Sequence, residues 1–200
     1  MTDPFTMLQV STRNHQMTVL RDDGLYRHIR FQEPGTSIWY WDLVTWPGHL
    51  VITGDLEDFH FARTADMFAF FRSSVGYINP SYWAEKLRGP QRYESHSPAV
   101  VKQKVYQEFR WACEWWEGQR APLWREICDQ ILTDDVIHDE ATTHLALRDF
   151  RHIGGDGKRF EFADTWEWEF KEYDYHFLLS LHAIVWGINQ YDQARKAVAS

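Results

Sequence analysis

Ser37–Arg72, SIWYWDLVTWPGHLVITGDLEDFHFARTADMFAFFR, decides the fold, because its strand, turn and helix signals agree. Trp, Tyr, Ile and Val crowd Ser37 to Trp46, and such side chains suit a pleated, half-buried surface. Pro47-Gly48 punctuates the run, His49 to Thr53 resumes it, and Gly54-Asp55 turns it again. Phe59 and Phe61 then alternate with His60 and Ala62 as a third short strand. Asp66 suits the N-cap of a helix over MFAFFR that lies down on this meander.

Upstream, Met17 to Leu20 and Tyr26 to Phe31 read as an opening strand pair around Asp22-Asp23-Gly24. Residues 1–16 are polar and aperiodic, which predicts a flexible tail. Downstream of Arg72 the character changes. Pro80 opens a short helix through Leu87, and Ser97 or Pro98 starts a long one with Val101, Val105, Phe109, Ala112 and Trp116 on one stripe. Pro122 begins the next, with Leu123, Ile127 and Ile131, and Asp134 is expected to cap another carrying Ile137, Ala141, Leu145 and Phe150. Gly154-Gly155-Asp156-Gly157 is the clearest break.

Beyond it, Phe160, Phe162, Trp166, Trp168 and Phe170 alternate with polar residues, which predicts a late strand over about 159–170. That strand either returns to the sheet or forms a hairpin. A closing helix from about Tyr173 to Ala197 carries Phe177, Leu181, Ile184, Ile188 and Tyr191 on one face. The expected class is therefore α+β: an antiparallel N-terminal meander of four or five strands packed against a mainly helical C-terminal part. At 200 residues one domain over 1–200 is expected, mainly β over 17–72, mainly helical over 73–158, with strand and long helix over 159–200.

Two cysteines, Cys113 and Cys128, both among apolar neighbours in helical patterns, read as buried free thiols of a reducing cytoplasm. No signal-like leader and no apolar run near the length of a membrane span occurs, and a cytoplasmic location is expected. The net charge of −8 is uneven: Asp134 to Asp192 hold thirteen acidic residues against five basic ones. Such a surface repels nucleic acid and steers toward a basic partner; its bland counterpart is a solvated face that keeps the protein dispersed. Eleven Trp, with fifteen Arg against six Lys, suit either a bulky core with bidentate ion pairs or an interface.

Chemistry-bearing motifs are scarce. Glu140 and His144 stand four apart on an expected helix, with His138 nearby, the spacing of a metal pair and the basis of an alternative reading as a metal-dependent hydrolase or nuclease. His144 equally suits a hydrogen-bonded histidine at a core edge. Ser37, Ser180, Cys113 and Cys128 lack the turn that activates a nucleophile, and no catalytic residue or cofactor is indicated.

Tyr40–Thr64, Asp66–Arg72, Ile78–Leu87 (INPSYWAEKL) and His182–Asp192 (HAIVWGINQYD) resemble the recurring motifs of a family of small proteins encoded by tailed phages and prophages. The WPGHL, NPxYWxEKL and AIVWGIxQYD words carry it. The resemblance implies no activity, cofactor or catalytic residue. By analogy with small acidic phage proteins it implies a non-enzymatic accessory protein that binds a host protein or nucleoprotein complex in the host cytoplasm, an anti-defence inhibitor of the anti-CRISPR type among the options. Direct nucleic-acid contact and membrane contact are not expected. Glu161, Glu167, Glu169, Glu172 and Asp174 are the carboxylates expected to meet the partner.

Overall fold

The computed structural model describes residues 3–155 and 157–199. In chain order it runs α1 (Pro4–Ser11), β1 (Gln16–Asp23), β2 (Tyr26–Gln32), β3 (Trp41–Trp46), β4 (His49–Gly54), β5 (Phe59–Ala62), α2 (Met67–Phe71) and α3 (Pro80–Ala84). There follow β6 (Glu94–His96), α4 (Pro98–Trp115), α5 (Arg120–Gln130), α6 (Asp134–Ile137), α7 (Glu140–Asp149), β7 (His152–Ile153) and β8 (Arg159–Phe160). A 3₁₀ turn (Thr165–Glu167), β9 (Lys171–Tyr173) and α8 (Tyr175–Ala199) close the chain. The class is α+β, and the chain divides into two compact units: residues 1–93 with 173–200, and residues 94–172.

The first unit is the meander, a five-stranded antiparallel sheet in the order β1-β2-β3-β4-β5. Alternation gives it one apolar face: Ile29, Phe31, Trp41, Leu43, Leu50, Ile52, Phe59 and Phe61 are all buried. α8 lies against that face through Phe177, Leu181, Ile184, Ile188 and Tyr191, the stripe expected from its 3.6-residue period. The outer face of the sheet is polar. Ser37–Tyr40 does not join β3, because Trp39 adopts φ +63° while its N–H donates to Asp55 (2.7 Å) and its carbonyl accepts from His15 (2.7 Å). Lys86–Arg88 leave α3 early and run beside β5: Ala62 N–H donates to the Lys86 carbonyl, and Arg88 N–H to that of His60.

One sequence expectation needs correction here. Residues 3–16 are not a loose tail, since α1 docks with Leu8 fully buried; Met1 and Thr2, also assigned to that tail, lie outside the described residues. Asp3 caps it by accepting the Thr6 N–H (2.9 Å) and Pro4 opens its first turn, a start signal easily lost in an eight-residue helix. Met17 and Val19 of β1 accordingly follow an ordered entry.

The second unit is helical. Ser97 caps α4, whose Val101, Val105 and Ala112, with Trp116 just past its end, join Leu123, Ile127 and Ile131 of the α5 segment in one core. The expected helix from Asp134 through Phe150 is instead two: α6 ends at Ile137, and Asp139 caps α7 by accepting the Thr142 N–H (2.7 Å). That break rotates the stripe, so Thr143, Leu147 and Phe150 are buried while Ala141 and Leu145 face solvent. The late segment takes the hairpin option: β8 pairs with β7, and β9 pairs with β6. Its alternation holds for Phe160, Phe162, Trp168 and Phe170, all buried. It fails at Trp166, which is 77% exposed because Asp164 turns the backbone (φ +50°) into the 3₁₀ turn. Asp156 lies outside the described residues. Cys113 and Cys128 are free as expected but half-buried, and burial followed by the Asp129 charge pushes the Cys128 thiol up.

Candidate functional site

The exposure of Trp166 draws attention to the surface around it. α7 presents Ala141, His144, Leu145 and Arg148, which with Thr165 and Trp166 line an open groove of about 590 Å³. Its floor is apolar, with Leu145 half exposed and the His144 ring tilted against Phe170 at 5.1 Å. A large aromatic ring standing in water beside an apolar groove is the usual form of an interface anchor.

Carboxylates surround this groove in sequence. Glu167 and Glu169 flank Trp168 beyond Trp166, and Glu172 follows in β9; all three are exposed, and among the described residues none of them makes an ion pair. The other two expected partner-binding residues have internal work. Glu161 accepts from Arg151 and Arg159, both at 3.0 Å, so its charge is already compensated. Asp174 caps α8 in the first unit, accepting the N–H groups of His176 (2.8 Å) and Phe177 (3.4 Å). Sequence pattern alone cannot separate a capping carboxylate from a free one.

The charge division is sharper than the linear count implied. Residues 94–172 hold seventeen acidic side chains against ten basic, a net of −7, and the rest of the chain holds twelve against eleven. The acidity belongs to the helical unit.

The metal reading finds no donor set. His138 Nδ1–H donates to the Asp134 carbonyl (2.8 Å), Glu140 opens α7 exposed, and His144 turns into the groove. Among the described residues no three His, Cys, Asp or Glu side chains group as a metal requires. The Glu140/His144 spacing is real, but the helix break at Asp139 takes His138 off their face.

A second polar cluster, missed in the sequence, covers the outer face of the sheet in the first unit. Arg30 clasps Asp42 through two hydrogen bonds of 2.8 Å, and His28 Nε2–H donates to the same carboxylate (2.9 Å). Burial pushes the Asp42 carboxyl up, but the Arg30 and His28 hydrogen bonds and charges outweigh it and hold the group below its ordinary value. Farther along the sheet, His49 Nδ1 and His60 Nε2 stand 3.0 Å apart with Trp46 stacked on His49. Burial first, then the His49 and Arg88 charges, lower the His60 pKa. The alternation of His28/Arg30 and His60 with apolar neighbours was the available signal for this face.

No family model matches the chain, and neither the curated proteins nor the solved structures hold a match to it. No helix among the described residues is long and apolar enough to cross a membrane.

Proposed function

We propose that this chain is a phage-encoded, non-enzymatic accessory protein that binds a host protein or nucleoprotein complex through its helical unit, blocking it as an anti-defence inhibitor of the anti-CRISPR type. The observation that carries the binding role is Trp166, 77% exposed at an apolar groove in a unit of net charge −7. The resemblance of the WPGHL and NPxYWxEKL words to phage proteins carries the origin and the host-cytoplasmic setting.

The physical logic is that of a competitor for a basic groove. A surface that binds nucleic acid is rich in Lys and Arg, and an acidic unit is steered toward it at long range. Charge alone gives rate and orientation rather than affinity, so a desolvated anchor is needed as well. Trp166 supplies it, and Glu167, Glu169 and Glu172 supply uncompensated charge in the same segment.

The test is affinity capture from nuclease-treated host lysate with the wild type and Trp166→Ala in parallel. A host complex retained by the wild type and weakened at least about tenfold by the substitution supports the reading, as loss of a hot-spot tryptophan requires. Equal capture by both chains, or none by either, contradicts it.

A further inference from the structure

The two edges of the five-stranded sheet differ in a way that points to a second use of the first unit. β5 is covered along its edge by the backbone of Lys86–Arg88. β1 is not covered: among the described residues its backbone pairs only with β2. With β1 spanning eight residues, this edge is long. It carries no lysine or proline, its charged residues Arg21, Asp22 and Asp23 are confined to one end, and its middle is apolar and wet, with Val19 46% and Leu20 51% exposed. Beneath it, Met17 and Val19 face Tyr191, Ala194 and Val198 of α8 across a groove of about 420 Å³. Val198 is 90% exposed. An open edge with an apolar groove under it is the pair of features that strand addition uses: the ladder gives affinity and the groove takes alternate side chains.

The geometry points to a second copy of this chain as the occupant, its β1 paired antiparallel with this one across a two-fold axis to join two sheets into ten strands. The charges are compatible with self-pairing, and the apolar centre favours it. An axis between Val19 and Leu20 sets those two residues against each other, Thr18 against Arg21, Met17 against Asp22 and Gln16 against Asp23. No like charges meet, and the apolar pair lies at the centre. A two-fold interface of this kind is self-complementary, the commonest form of oligomer. The bulge at Leu20, where the β1–β2 register shifts between Val19 and Arg21, leaves that side chain unopposed within its own sheet.

The experiment is sedimentation equilibrium of the full chain across a concentration series reaching roughly 100 μM, far above a micromolar Kd. The inference requires a species of twice the 23.9 kDa chain mass. Val19→Lys and Leu20→Lys each weaken the dimer at least about tenfold by setting two copies of a lysine at the axis. Val75→Lys, at an equally exposed position between α2 and α3, leaves it unchanged. Circular dichroism at low concentration checks that all three monomers are folded. A wild type that stays monomeric throughout overturns the inference, as does a dimer that persists in both β1 variants.

Discussion

Gly187 sits in the middle of α8, where a helix ordinarily prefers alanine by about 1 kcal/mol. Here the preference reverses, because a Cβ at Gly187 would stand 2.8 Å from the Phe31 ring and 3.0 Å from Leu43. The Phe31 ring cannot step aside: it is fully buried, with its ring centroid 5.3 Å from that of Trp41 and 5.4 Å from that of Trp186. Gly187→Ala therefore destabilises by about 1–3 kcal/mol in denaturant titration, the range of an overpacked core. Asp42 makes a second prediction. Its lowered pKa means that it stabilises the fold above the ordinary carboxylate range and that this contribution is lost as pH falls through the folded value. Asp42→Asn costs about 1–2 kcal/mol at neutral pH, a figure held down by the solvent at Arg30, and the cost shrinks as pH falls through the folded value. Histidines act at milder pH. Burial lowers the pKa of both His60 and His182 from 6.5, so the unfolded chain takes up protons first. Stability from these groups is complete above 6.5 and declines as pH drops below it toward the folded values. Melting temperature consequently falls between about pH 7 and pH 5, and His60→Gln with His182→Gln flattens that slope.

At the scale of elements, α1 is the sharpest departure from the sequence. Leu8 is completely buried in the core shared with α8, and Leu8→Ala lowers unfolding free energy by about 2–5 kcal/mol. A free tail would show no change. The meander and α8 were legible because alternation and the 3.6-residue period repeat over enough residues to be counted: Leu50 and Ile52 alternate with His49 and Val51, and five residues mark the stripe of α8. α1 offers two turns, too few for a period. The α6–α7 break was hidden because Asp139 had an apolar pattern on both sides, and only its carboxylate on the Thr142 N–H reveals it as a cap. Of the candidate site, Glu167, Glu169 and Glu172 were legible as exposed charges. The exposed Trp166 was not, since period two assigns it to the buried side and nothing in the sequence announces the left-handed turn at Asp164. His144 was singled out for a metal and lines the groove instead.

At the scale of the whole chain, charge and architecture divide along the same boundary. Residues 94–172 hold nearly all the excess negative charge, while the rest is almost neutral and holds the sheet and the long helix. Association through the acidic unit must weaken with ionic strength, because exposed charges are screened over about 10 Å at 0.1 M salt. The pattern of charge reversals tests this most directly. The measurement is the dissociation constant for the captured host complex, at low and high salt, of the wild type, Glu167→Lys with Glu169→Lys, and Glu161→Lys. The double reversal abolishes binding at unchanged melting temperature, and the wild type weakens in salt. Reversal at Glu161, already held by Arg151 and Arg159, alters affinity far less. Binding that is indifferent to salt and to the double reversal would contradict the proposed function.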